Sequence, residues 1–65
     1  MNIYEYLKDN NKQLRIFNSY DNRWLLWDDD DNNWKVYEKK LHARVKTTVY
    51  SGDSCDEAMA HLVHG

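Results

Sequence analysis

The sequence predicts an α+β domain: a short N-terminal helix, an antiparallel sheet of three or four strands, and a C-terminal helix packed on one face of the sheet. Three observations lead there. Arg23-Trp24-Leu25-Leu26-Trp27 is a short aromatic and aliphatic run bounded by turn formers, which reads as a strand. Asp28-Asp29-Asp30-Asp31-Asn32-Asn33 follows with nothing apolar to bury, and Trp34-Lys35-Val36-Tyr37 starts at once, so the pair reads as a hairpin with an acidic tip. Finally, Ser54-Cys55-Asp56-Glu57 has the spacing of a helix-opening capping box, with apolar residues behind it.

At the N-terminus, Ile3, Tyr4 and Leu7 fall at helical spacing with Glu5 and Lys8 between them. Asn2 is suited to cap the start and Asn10-Asn11 to stop it, so residues 2–9 are expected to form an amphipathic helix. So short a helix is unstable alone and has to dock on another element. Leu14-Arg15-Ile16-Phe17 alternates weakly and fits a short edge strand, and residues 18–22 carry the Asn/Ser/Asp chemistry of a turn.

The hairpin arms are expected at 23–28 and 34–40. In the second arm Trp34, Val36 and Glu38 share one face, and Lys35, Tyr37 and Lys39 the other. Residues 43–50 alternate most cleanly, with Ala43, Val45, Thr47 and Val49 facing one way and Arg44, Lys46, Thr48 and Tyr50 the other. That pattern predicts a third long strand with one wet face, ended by Ser51-Gly52-Asp53. In the last helix Ala58, Met59, Leu62 and Val63 form the apolar stripe, and His64-Gly65 is the expected stop.

Sixty-five residues make one domain, close to the lower size at which a core alone supports a fold. Three Trp and five Tyr supply large buried areas, and self-association would add more. Cys55 is the only cysteine, which rules out an internal disulfide and points to a reducing, cytoplasmic compartment. No signal peptide and no membrane-length apolar run is visible. A net charge of −2 marks the chain as neither strongly acidic nor broadly nucleic-acid-binding.

Functional chemistry has to come from residues the core does not use. Asp28, Asp30 and Asn32 have the alternate spacing of a calcium loop, but Asn33 stands in place of its glycine and Lys39 in place of its closing glutamate. The plain reading of 28–33 is a solvated hairpin tip; a sharper one is a row of carboxylates imitating a phosphate backbone. On the sheet, Tyr37, Tyr50, Arg44 and Lys46, with Trp24 or Trp27, suit either a partly covered wet face or an aromatic interface. Base stacking amid Lys39, Lys40, His42, Arg44 and Lys46 is the competing use of that surface. His61, His64 and Cys55 match no standard zinc spacing, and histidines near a helix C-terminus suit its dipole. With no phosphate loop, nucleophile elbow or cofactor motif in view, the sequence predicts a non-enzyme that needs no cofactor or metal.

Ser19-Tyr20-Asp21 followed by Leu25-Leu26 and Asp28-Asp29-Asp30, with Val49-Tyr50 and Asp56-Glu57 further on, resembles the small phage-encoded inhibitors of uracil-DNA glycosylase. The resemblance spans residues 19–63, with a one-residue insertion near Gly52. It implies a three-stranded sheet, one helix and a homodimer acting as a DNA mimic: an apolar pocket takes the side chain that the glycosylase pushes into DNA, and carboxylates replace phosphates. Tyr50 matches the family's strand-end contact tyrosine. Lys46 and Thr47 stand where the family has an aromatic and a glutamate, Trp24 and Trp27 replace smaller or polar residues, and residues 2–17 have no counterpart.

The expectation is therefore a phage or mobile-element protein that blocks the DNA cleft of a host DNA-processing enzyme, most specifically uracil-DNA glycosylase. It would act in the host cytoplasm as a homodimer, touching neither nucleic acid nor membrane. Its partner-binding residues would be Trp24, Trp27, Asp28, Asp29, Asp30, Asp31, Tyr37 and Tyr50. The alternatives are a nucleic-acid-binding module built on residues 34–50 and a structural or regulatory interaction domain on the same scaffold.

Overall fold

A helix, four strands and a second helix follow one another in the computed structural model, which describes residues 2–10 and 14–64. They are α1 (Ile3–Asp9), β1 (Ile16–Asn18), β2 (Arg23–Asp28), β3 (Asn33–Glu38), β4 (Thr47–Gly52) and α2 (Cys55–His64). The strands form one antiparallel sheet in sequence order, β1-β2-β3-β4. This is the expected α+β class, and the fourth strand lies at Ile16–Asn18, shifted from the expected Leu14–Phe17 run.

Two hairpin turns repeat one device. Asn18 and Asp28 each end a strand and each use side-chain Oδ1 to accept the N–H two residues on, from Tyr20 at 3.1 Å and from Asp30 at 2.9 Å. Four residues later, Asn22 (φ 53°) and Asn32 (φ 55°) bring the chain back in the left-handed region, which asparagine tolerates better than most side chains. The Asn and Asp residues around the acidic tip therefore have a geometric task independent of their charge.

Strand register decides the faces. Ile16 pairs with Leu25, Leu25 with Val36, Trp27 with Trp34, and Val36 with Tyr50, so these side chains share one face. Both helices lie on it. Leu7 of α1 and Ala58 and Leu62 of α2 close a core with Leu25, Trp34 and Val36, all at most 2% exposed. Burying a leucine or valine side chain contributes about 1.5–3 kcal/mol, so this small set carries much of the fold. Tyr4 meets Trp34 edge-on at 5.7 Å, and the Lys8 ammonium stands 4.3 Å over the Trp27 ring, which holds α1 down. The first helix thus joins the second on one face of the sheet and leaves the other uncovered.

The helix ends are capped as their sequences require, with one change. Asn2 accepts the Glu5 N–H at 2.9 Å, and Asn10 closes α1 through its backbone and side-chain N–H groups on the Tyr6 carbonyl. Asn11 and Gly65, the other expected stops, lie outside the described residues. Ser54 accepts the Glu57 N–H at 3.1 Å, but Glu57 does not return to the Ser54 N–H, because the Tyr50 hydroxyl occupies that place. At the far end of α2, Arg23 donates to the His61 carbonyl at 2.7 Å and Asn18 to the Leu62 carbonyl at 2.7 Å. Strand residues therefore satisfy carbonyls that the last helical turn leaves unpaired, and Arg23 also brings a positive charge to the negative end of the dipole.

Three expectations are corrected. The strand expected at 43–50 is β4 at Thr47–Gly52, because its partner β3 ends at Glu38, opposite Thr47. Residues 43–46 have no strand to pair with: the connection turns back through an Ala43 N–H to Lys40 carbonyl bond and His42 at φ 70°. In addition, Val36 opposes Tyr50 while Tyr37 opposes Thr48, which leaves Val49 as the extra residue of a β-bulge. Val49 and Tyr50 both pack against the core, and the simple alternation that put Tyr50 on the wet face fails at that point. In α2, Cys55, Ala58, Met59 and Leu62 form the inward stripe, and Val63 is 48% exposed.

Candidate functional site

The face of the sheet that neither helix covers carries the chemistry. Pairing places Phe17, Trp24, Tyr37 and Thr48 in one row across four strands, and Leu26, Lys35 and Ser51 in the next. Phe17 is 60% exposed, while Trp24, Leu26 and Tyr37 are half-buried. The Trp24 and Tyr37 rings lie 5.9 Å apart, and the Lys46 ammonium sits 4.1 Å over Tyr37. The Trp24 indole N–H is buried and has no partner among the described residues. An aromatic row flanked by cations and lacking a covering layer is what a docking surface requires.

At the hairpin-tip end lies a depression of about 330 Å³, lined by Leu26 and Tyr37 of this face, by Trp27 of the helix-covered face, by Asp28, Asp29 and Asp30, and by Arg15 and Lys46. Lys35 organises the carboxylates. Its side chain is only 12% exposed, and its ammonium donates to Asp28 at 2.7 Å and also to Asp31. Asp28 in turn accepts the backbone N–H groups of Asp30 and Asp31. The Lys35 hydrogen bond holds the Asp28 carboxyl below its ordinary range, helped by the Asp31 and Asp30 N–H groups and opposed by burial. The same contacts, with Asp28 first, push the Lys35 ammonium well above its ordinary value against the cost of its burial. Asp29 and Asp30 form no ion pair among the described residues and are exposed.

Five of the eight residues expected to bind a partner therefore line one depression: Trp27, Asp28, Asp29, Asp30 and Tyr37. Asp31 is beside them but bound to Lys35. Trp24 shares the open face and lines a separate groove. Tyr50 is elsewhere. It stacks on His61 at 5.2 Å on the helix side, donates to Glu57 and accepts from Ser54. Burial is the main reason its phenol titrates above the ordinary value; the Ser54 N–H opposes that shift and Glu57 adds to it.

The chain matches no family model, no curated protein and no solved structure.

Sequence reasoning missed Arg15 and Lys35 as site residues. Lys35 was identifiable in principle, since its strand position faces the same side as Asp28 across a hairpin pair. Arg15 was hidden in a run too weakly patterned to assign a face. His61 is taken up by Tyr50, Cys55 is half-buried at the start of α2, and the His64 side chain lies outside the described residues. No group of three or more metal-ligating side chains occurs among the described residues, and no described helix is long and apolar enough to cross a membrane.

Proposed function

We propose that the protein is a small non-catalytic binding protein that docks the hairpin-tip end of its uncovered sheet face on a partner protein. In its most specific form it is an inhibitor, of phage or mobile-element origin and acting in the host cytoplasm, that occupies the DNA cleft of a DNA-processing enzyme, uracil-DNA glycosylase first among them. The observation that carries this reading is the depression that Asp28, Asp29 and Asp30 line together with Leu26, Trp27 and Tyr37. A cleft built for DNA offers cations for phosphates and apolar groups for bases, and carboxylates around an apolar floor complement both. The negative charge presented comes chiefly from Asp29 and Asp30, since Lys35 neutralises much of Asp28 and Asp31, and Arg15 and Lys46 on the same lining reduce it further. Tyr50 leaves the contact set in this reading, and Tyr37 replaces it as the aromatic anchor.

The test is a titration of the purified protein into a uracil-excision assay at two salt concentrations. Complete inhibition near equimolar protein, relieved by excess DNA and slowed by salt, is the expected result. Full activity at large excess of the protein would remove the glycosylase as target. A pull-down on the Tyr37→Ala variant beside the parent chain would then ask whether the same face binds another protein.

A further inference from the structure

The other end of the open face has a groove of its own. Phe17, Asn22, Trp24, Lys39, Lys40, Leu41 and His42 line an open depression of about 330 Å³ that shares no residue with the acidic one. The Lys39 N–H bonds the Asn22 carbonyl at 3.1 Å, one step beyond the β2–β3 ladder, and the chain then turns tightly through Ala43 and Lys40. That turn sets a cationic segment beside the Trp24 and Phe17 rings. No carboxylate lines the groove, and residues 39–46 hold Lys39, Lys40, Arg44 and Lys46 with no acid among them. Leu41 and Val45 on the same connection are 81% and 76% exposed.

We propose that this groove binds single-stranded DNA, with an unstacked base against Trp24 or Phe17 and the flanking phosphates on Lys39 and Lys40. Aromatic platforms beside cations suit single strands because every base has a π-face and every linkage a charge. A duplex keeps its bases stacked and could use only the lysines. An acidic peptide offers charge but no planar faces. No carboxylate lines the groove to accept a hydrogen bond from a 2′-hydroxyl, so the bases and phosphates of a deoxy strand are the groups its rings and lysines meet. Repulsion from the acidic tip does not prevent this. β2 spans the two ends of the face, about 17 Å at an extended rise, which exceeds the screening length of roughly 8 Å at physiological salt.

The test follows tryptophan fluorescence while an oligothymidylate of about twelve residues is added at low and at moderate salt. Saturable quenching is expected, with affinity falling against salt at a log–log slope of about −2 if three phosphates are neutralised. Lys39→Ala with Lys40→Ala, both at exposed positions, is expected to weaken binding at least tenfold with an unchanged circular dichroism spectrum and thermal midpoint. Trp24→Phe should keep binding and lose most of the quenching. Several results would overturn the proposal: no quenching at low salt by folded protein, full binding by the double lysine variant, equal competition by polyglutamate of matched charge, or tighter binding of the corresponding ribo-oligomer. Asp29→Asn with Asp30→Asn leaves this groove intact and should not weaken DNA binding.

Discussion

The Tyr50 hydroxyl donates to the Glu57 carboxylate at 3.2 Å and accepts the Ser54 N–H at 3.2 Å, so a strand side chain completes the N-terminal cap of α2. Gly52 makes the arrangement possible. A Cβ at that position would lie 2.5 Å from the hydroxyl oxygen and 2.9 Å from the ring carbon that bears it. The bulge at Val49 turns Tyr50 toward the helix, the glycine leaves it room, and the hydroxyl ties β4 to α2.

Tyr50→Phe is expected to lower the thermal midpoint by about 5 °C, since it removes the hydroxyl and leaves the ring in place. Gly52→Ala should cost more, because the ring itself must move off its stack with His61. Melting curves of the two variants check the order. A Gly52→Ala midpoint equal to that of the parent chain would show that Tyr50 is not held where the cap requires it.

Lys35 and Asp28 predict opposite limbs of a stability profile. The folded Asp28 pKa lies below its ordinary 3.8, so its contribution is present above that value and is lost as pH falls through the folded pKa. The Lys35 and Tyr50 values are raised, so their contributions are complete below their ordinary 10.5 and 10.0 and are lost as pH rises through the folded values. Lys35→Met should therefore flatten the decline in stability between about pH 5 and pH 2, and added salt should flatten it in the parent chain. Urea midpoints at neutral and acid pH, with and without salt, give the comparison. An acid limb unchanged by Lys35→Met would mean that Asp28 draws nothing from that lysine.

How much of this was legible depended on whether the signal was local. The caps at Asn2 and Ser54, the acidic hairpin and the faces of β3 are fixed by neighbours within four residues, and composition and period reveal them. β4 was misplaced because alternation over 43–46 is indifferent to whether a partner strand exists, and β3 ends at Glu38. The Tyr50 face was misassigned because a bulge leaves no mark in the pattern of Val49-Tyr50. Trp24 and Trp27 looked equivalent in one apolar run. Pairing separates them, Trp24 onto the open face with Tyr37 and Trp27 under Lys8 and against Trp34.

The core is small enough for single truncations to decide the fold. Leu25→Ala or Leu62→Ala removes a side chain that is at most 1% exposed and should cost about 2–5 kcal/mol. Domains of this size rarely hold more than about 3–5 kcal/mol in their core, so either variant is expected to be largely unfolded at room temperature. Val63→Ala, half exposed on the same helix, should change stability by less than about 0.5 kcal/mol. Circular dichroism at 222 nm with a urea titration separates the cases, and a folded Leu62→Ala would show that α2 is dispensable to the core.

Binding at the acidic end can be separated from stability, because the residues concerned are exposed. Asp29→Asn with Asp30→Asn removes the two hairpin-tip carboxylates that form no ion pair among the described residues and leaves the Asp28–Lys35–Asp31 cluster in place. The thermal midpoint should stay within about 2 °C of the parent value. If the protein inhibits the glycosylase as proposed, inhibition should weaken about tenfold at low salt, mostly through slower association, and the difference should shrink as salt rises. Tyr50→Phe is the reverse control: it should melt earlier and, below its melting point, inhibit as well as the parent chain. If Tyr50→Phe lost inhibition while folded and the double asparagine variant kept it, the binding surface would lie on the helix side and not on the open face of the sheet.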